Sequence, residues 1–385
     1  MNMRSLLRNR GGVPGPIGLD LGGSRIKAAQ LKRTSNGWAL HAFASIPRAI
    51  EGAPLDASEA RRVNDVLFRQ GFTGDSVVLA LPDVKLLTVN LELPPRSEEI
   101  PLDQIARAEF ARSVKAESDP FEFAYWDLPA PARATKSTHV MGVGCRHADA
   151  EPIVEALELA GFDVAAIDVE ATALTRACAS VLAPPHEITA LVDIGYSAVR
   201  LFVIHQGVVT YRRALAGNGM RALRQSVADQ INVKDDPAVL DYVLEQVSLE
   251  EHATRDTTTK DGGSSSGSSS VAIEQTKRVV CAHLDGVLAE VTTSLSYTAH
   301  QYPDAPVRRV LVTGGGASMP GLPQYLGSKL NIETRAVRCT DLLAGAERVG
   351  ADDSDRSAAF TGALAIGLAQ VQACCPGRGA KEGRR

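Results

Sequence analysis

Two short stretches of this chain carry one pattern. Residues 16–31 read as two apolar strand runs, Ile17, Leu19 and Leu21, then Ile26, Ala28 and Leu31, bent at Gly22-Gly23 with Asp20 and Ser24 beside the turn. About 170 residues later, residues 189–197 repeat it with Asp193, Gly195 and Ser197 ahead of the apolar run 198–204. A strand of period two, a glycine turn and a returning strand make a β-hairpin. A single glycine turn is common, but two matching Asp-x-Gly-x-Ser hairpins point to an internally duplicated fold.

The length allows for it, since 385 residues with 44% hydrophobic content suffice for two lobes and a cleft between them. Between the hairpins the pattern predicts a strand at 37–43, a helix at 56–70 and a strand at 76–81. The texture then changes to a strand at 86–93, a helix after Ser97 carrying Leu102, Ile105, Ala106, Phe110 and Val114, and strands at 121–128 and 138–145. A helix at 149–160, a strand at 162–169 and a helix of small residues from Ala171 lead to the second hairpin. Helices are expected at 220–230, 237–246, 271–300, 321–330 and 357–372, with a buried strand at 310–313. Residues 261–270 are Gly, Ser and Asp, a composition that reads as a flexible loop.

Several classes are excluded. With 41 Lys+Arg against 45 Asp+Glu there is no basic footprint for nucleic acid. Cys145, Cys178, Cys281, Cys339, Cys374 and Cys375 lack C-x-x-C spacing and neighbouring His pairs, so neither a zinc site nor a disulfide framework is expected, and a reducing cytosol is the simplest home. The basic start lacks the apolar run of a signal peptide, and nowhere do eighteen apolar residues follow one another.

The hairpins suit a nucleotide phosphate. Gly22 and Gly23 expose backbone N–H groups, Ser24 adds a hydroxyl, and Lys27 adds a point charge. Asp20 would repel a phosphate unless a cation, typically Mg²⁺, lay between them. The plain alternative is a turn with a solvated Asp. Asp193, Gly195 and Ser197 would clasp the phosphates from the opposite lobe, with Tyr196 either at the site or a packing residue. Asp20 and Asp193 are thus the expected metal residues. A third element, VLVTGGGASMPG, sets Gly314, Gly315 and Gly316 directly after a buried strand, where backbone can lie flat against a purine and ribose.

Phosphate hairpin, phosphate hairpin and adenosine turn, in that order, resemble the actin-like ATPase superfamily of actin, DnaK-type chaperones and sugar kinases. Lys27, seven residues after Asp20, matches the spacing of actin's phosphate-contacting lysine. Within the superfamily the runs IGLDLGGSRIK, QIARAE, DPFEFAYWDL, GFDVAAIDVEATALTRA, LVDIGYS, VLVTGGGA and AIGLAQ are most similar to the PilM family of type IV pilus assembly proteins, with the FtsA family next. The resemblance implies an α/β, actin-like ATPase fold: two lobes, each built on a duplicated strand-hairpin/helix domain, with a small α+β insertion in the first. The expected division is 16–84 with 161–186 as first-lobe core, 85–160 as insertion, 187–220 with 300–375 as second-lobe core, and 221–299 as its subdomain, with a disordered loop at 256–270.

The resemblance further implies ATP with Mg²⁺ between the lobes at the cytoplasmic face of the inner membrane. The N-terminal peptide of a PilN-like bitopic membrane protein would dock near 101–115 and 121–127. Pilus motor or secretin subcomplex proteins are further implied partners, and the membrane is reached only through a partner. Departures exist. The family's Ala-Glu-x-x-Lys element is reduced to Lys234, and its Gly-Gly pair becomes Gly217 and Gly219 around Asn218. Binding is expected with at most slow hydrolysis, Glu170 and Asp168 being the candidates to orient a water. A sugar-type kinase, an FtsA-like adaptor and a degenerate pseudo-ATPase are the competing readings.

Overall fold

The computed structural model describes residues 12–371 except 36, 98, 117, 132–135, 233–236, 250–265, 348 and 350–357. The expectations for Lys234, for residues 261–265 and for the basic tail 378–385 lie outside the described residues.

The chain begins with β1 (Pro14–Leu21), β2 (Arg25–Thr34), β3 (Gly37–Pro47), α1 (Ala57–Arg69) and β4 (Ser76–Ala80). A smaller unit follows, of β5 (Leu87–Leu93), α2 (Leu102–Ser113), β6 (Phe121–Asp127) and β7 (Thr138–Arg146). Then α3 (His147–Glu158), β8 (Asp163–Asp168) and α4 (Glu170–Ala177) complete the first half. The second half holds β9 (Ile188–Ile194), β10 (Ala198–His205), β11 (Val208–Ala216), α5 (Met220–Ile231), α6 (Pro237–Gln246) and α7 (Ser266–Gln301). It closes with β12 (Val307–Thr313), α8 (Leu322–Leu330), β13 (Glu333–Ala336), α9 (Cys339–Leu342), α10 (Ala358–Thr361) and α11 (Ala363–Ala369).

The duplication is visible in strand order. The first sheet runs β3-β2-β1-β4-β8 and the second β11-β10-β9-β12-β13. In each, three strands pair antiparallel and two further strands add on in parallel. Alternation along a strand sends successive side chains to opposite faces. Ala190 and Val192 of β9 therefore face α5, α6 and α7, while Leu191 joins Phe202 and Ile204 against α4. In β1, Ile17 and Leu19 enter the core beneath α1 and α3, and Gly18 faces the other way.

That other face is covered by the last helix. A Cβ on Gly18 would lie 2.0 Å from the Ala365 carbonyl oxygen, and one on Gly367 would lie 2.0 Å from that of Ala173. Only glycine allows α11 to rest on β1 and α4 at this separation. The expectation that 300–375 belongs wholly to the second lobe is corrected here: α11 packs on the first sheet.

The inserted unit is an antiparallel sheet β5-β7-β6 under α2. Phe110 of α2 is fully buried, with ring centroids 5.8 Å from Phe121 and 4.5 Å from Phe123. The unit leans on the second lobe, where Trp126 Nε1 donates to the Val209 carbonyl at 2.9 Å.

Local differences from the sequence reading have physical causes. The helix expected at 357–372 is split at Gly362, whose Cβ would meet Cys339 Sγ at 2.6 Å and the Phe43 ring at 2.7 Å. The helix expected from Val271 starts at Ser266, so 266–270 is helix rather than loop. Composition argues against burial there, whereas extending an existing helix adds one hydrogen bond per residue fixed.

Candidate functional site

Asp20, the last but one residue of β1, stands directly opposite Lys27 of β2, so the antiparallel register alone brings them together. Lys27 Nζ lies 2.6 Å from Asp20 Oδ2, both side chains being largely buried. A Cβ on Gly22 would meet Lys27 Nζ and the Arg25 carbonyl oxygen, each at 2.5 Å, so glycine is what lets the lysine fold back. The turn's carbonyls are held from behind. Arg48 N donates to Ser24 at 2.9 Å, Gly52 N to Gly23 at 2.7 Å and Arg48 Nη1 to Gly22 at 3.2 Å. Arg48 is itself fixed by Glu59 at 2.8 Å, and both side chains are buried. Burial works to raise the Glu59 pKa, but hydrogen bonds from Arg48, the Ala49 N–H and Arg62 outweigh it and hold the carboxyl below its ordinary value.

The second hairpin repeats this arrangement. Asp193 faces Arg200 across β9 and β10, again seven residues apart, and Arg200 Nη1 reaches Asp193 Oδ2 at 2.9 Å. Arg200 Nε lies 3.1 Å from Glu170 Oε2, an ion pair without hydrogen-bond alignment. A Cβ on Gly195 would stand 3.0 Å from Arg200 Nη1. Gly314 has φ +84° and takes the Asp193 carboxylate against its backbone, where a Cβ would sit 2.5 Å from Oδ1. Gly316 packs on Ile194, while Gly315 is open, with Thr361 Cγ2 its nearest neighbour at 3.9 Å. Of the pair around Asn218, a Cβ on Gly217 would meet nothing within 4 Å, whereas one on Gly219 would lie 2.4 Å from the Tyr196 carbonyl oxygen. The first N–H groups of α5 are spent there, Met220 on Gly195 and Arg221 on Tyr196, each at 2.9 Å.

Glu170, the first residue of α4, is 5% exposed and brings a third carboxylate to these pairs. Burial pushes its carboxyl up to about 8; Arg200 opposes the shift, Asp193 and Asp20 add to it, and Lys27 opposes it. Burial disfavours the Arg200 charge, yet Glu170 and Asp193 outweigh that and raise its pKa. Thus Asp20, Lys27, Glu170, Asp193 and Arg200 form one electrostatic cluster drawn from both lobes. Asp168 stands apart. It accepts from Val169 N at 2.7 Å and Thr172 Oγ1 at 3.2 Å and pairs with Arg176, which also donates to the Gly367 carbonyl at 3.0 Å. It anchors Thr172 and Arg176 of α4, and through Arg176 it ties that helix to α11.

The lobes meet at the turns. A Cβ on Gly23 would lie 2.7 Å from Tyr196 Cδ1 and 3.1 Å from Ser197 Oγ. Burial, then a hydrogen bond to Glu51, pushes the Tyr196 phenol up to about 12. Arg224 lies 3.7 Å from Glu51 Oε1 and 6.0 Å from the Tyr196 ring centroid.

Asp20 and Asp193 are the one or two carboxylates that a Mg²⁺ ion holding waters and phosphates would use, and each is here paired with a protein cation, at 2.6 and 2.9 Å. Among the described residues no group of three or more His, Cys, Asp or Glu could hold a metal. Two cations meet three carboxyl groups here, so the cluster carries no surplus positive charge. Arg200, Glu51 and Arg48 escaped the sequence reading. The seven-residue offset that marks Lys27 would have found Arg200.

A family model described as type IV pilus assembly protein PilM matches residues 18–248, more than half of the chain. Among solved structures, the PilM-PilN type IV pilus biogenesis complex is similar at TM-score 0.72 and 18% identity, covering 94% of this chain and 99% of that one. Ethanolamine utilization protein EutJ from Carboxydothermus hydrogenoformans is similar at TM-score 0.50 and 14% identity, covering 93% of this chain and 89% of that one. At these identities the likeness is one of fold.

Proposed function

We propose a function from the premise that this chain belongs to the PilM family of type IV pilus assembly proteins and has the actin-like ATPase fold: an assembly scaffold that holds a nucleotide between its lobes and docks a membrane partner. The observation that carries the reading is the family match, which runs through both hairpins and the inserted unit. It favours the scaffold over the sugar-type kinase and the FtsA-like adaptor.

The partner is the N-terminal peptide of a PilN-like bitopic protein of the inner membrane. It lies against the inserted unit along α2 and β6, where Arg96, Ile100, Pro101 and Asp103 line a shallow depression. With Ser97 and Gln104 beside Arg96 and Asp103 its lining is largely polar, suited to hold an extended peptide by polar contacts as well as by its Ile100 and Pro101 side chains. No helix among the described residues is long and apolar enough to cross a membrane, so the peptide is what keeps the protein at the cytoplasmic face.

In the cleft, Lys27 and Arg200 supply charge for the phosphates of ATP, the hairpin glycines let backbone approach, and Gly314 to Gly316 form the adenosine wall. A bound nucleotide supplies a polyanionic strut between the lobes. Entry of a nucleotide involves separating Gly23 from Tyr196, which stand in contact. Turnover is slow, because Asp168 is committed to Arg176 and Glu170 faces Arg200.

Calorimetric titration of the full chain with the synthetic N-terminal peptide of a PilN-like protein tests the docking. Saturable binding, weakened when Ile105 and Asp103 are replaced by Ala, is expected. A peptide that produces no heat overturns it.

A further inference from the structure

The two lobes touch through two kinds of surface. One is apolar and buried: Ala171 and Leu174 of α4 pack against Leu191, Phe202 and Ile204 of the second sheet. Apolar area buried in this way resists return to water. The other lies across the two glycine turns. It is polar and partly exposed, and each lobe builds its share on fastened backbone.

The first lobe contributes the loop that follows β3. Gly52 N holds it to the Gly23 carbonyl at 2.7 Å, and Arg48 donates from Nη1 to the Gly22 carbonyl and from Nη2 to that of Ala53, the latter at 2.7 Å. Glu51 lies within this loop with its side chain 36% exposed. The second lobe contributes Tyr196, at its own hairpin turn, and Arg224 of α5, a helix tied to that turn through the N–H groups of Met220 and Arg221. The Tyr196 phenol hydrogen-bonds Glu51, and Arg224 Nη1 stands 3.7 Å from Glu51 Oε1. Beside them a Cβ on Gly52 would lie 3.9 Å from Arg221 Nη1 and 4.0 Å from Tyr196 Cε1.

One carboxylate of the first lobe thus receives two groups of the second. A partly exposed ion pair contributes little alone, but a hydrogen bond from a phenol to a carboxylate is charge-assisted, and this one keeps the tyrosine ring against Gly23. Water can replace these contacts, whereas the apolar surface around α4 keeps the lobes joined when they part. The first surface is a hinge and the second a catch.

Building on the reading that the cleft holds a nucleotide, we propose that Glu51, Tyr196 and Arg224 form a latch that keeps the cleft of the empty protein shut, and that a nucleotide enters only when the latch is released. The apparent affinity is then the intrinsic one reduced by the fraction of open molecules.

The test uses the full chain with donor and acceptor dyes at Arg61 of α1 and Gln225 of α5, one exposed residue in each lobe. Single-molecule energy transfer without nucleotide then counts open and closed molecules. Tyr196→Phe keeps the ring beside Gly23 and removes only the hydroxyl, and Glu51→Ala removes its acceptor. Each should raise the ratio of open to closed molecules about tenfold or more, the worth of a hydrogen bond to a charged group. Because both break one contact, the double variant should match the stronger single one. An unchanged ratio in both single variants overturns the latch, and effects that multiply in the double variant count against a shared contact. Stopped-flow mixing with a fluorescent ATP analogue and Mg²⁺ reads the gating, with entry about tenfold faster in the variants. Open lobes with an unchanged entry rate overturn the gating. If the ratio rises as expected but no chain binds the analogue, the latch stands and the nucleotide reading falls.

Discussion

Gly23 of the first hairpin and Tyr196 of the second meet across the cleft, where a methyl on the glycine would come within 2.7 Å of the tyrosine Cδ1. The contact joins the two glycine turns. It makes the tyrosine, read from sequence as either a site or a packing residue, a wedge between lobes.

Gly23→Ala should cost about 1–3 kcal/mol by overpacking. Tyr196→Ala frees the space, so the double variant should lose less than the sum of the single losses, by about 1 kcal/mol. Denaturant unfolding of the four proteins of the cycle measures this, and strict additivity counts against the contact.

Glu170 gives a pH signature. Its folded pKa is raised to about 8 from 4.5 by burial, so between those values the folded state holds a proton that the unfolded state has released. Stability is therefore present at low pH and declines as pH rises through the window, by on the order of a few kcal/mol. Glu170→Gln should flatten that decline when unfolding is followed from about pH 5 to about pH 8. An unchanged slope would show that the carboxyl ionises as it does in the open chain.

Glu59 has the opposite sign. Hydrogen bonds hold its pKa down, so its contribution is present near neutrality and lost as pH falls through the folded value. Glu59→Ala leaves Arg48 charged and buried, and should cost about 3–5 kcal/mol. Amide exchange should then rise at Gly52, whose N–H bonds the Gly23 carbonyl. Protection that survives the substitution would uncouple Arg48 from the turn.

Glycine substitutions separate contact from propensity. Gly18→Ala and Gly367→Ala place a methyl 2.0 Å from backbone oxygens and should each cost about 3 kcal/mol or more. Gly286→Ala, within α7 and with nothing inside 4 Å, should instead stabilise by up to about 1 kcal/mol. Gly18→Ala and Gly367→Ala proteins that melt no lower than the unsubstituted chain would refute the packing of α11.

The hairpins were legible because period-two apolar runs, an Asp and a glycine turn are local signals, and α1 announced itself through Asp56, which caps it by accepting from Glu59 N at 2.8 Å. What escaped depends on distant partners. The four-residue β13, Glu333–Ala336, is mostly polar and is a strand only because it pairs with β12. The run over β11 carries Arg212 and Arg213 and pairs with β10 alone at the sheet edge. Gly18 and Gly367 declare close approach without saying to what. Arg200 was passed over because an Asp-Gly turn directs attention to acidic groups, while its significance lies in the register across β9 and β10.

The seating of α11 on β1 also bears on how the protein is made. The strand at Gly18 leaves the ribosome early, and the helix that covers it leaves late, after both hairpins and the whole second sheet. Until then the first lobe presents an open glycine face. Its completion must wait for the far end of the fold, so a nascent chain stalled after β13 would need a chaperone's shelter at its own beginning.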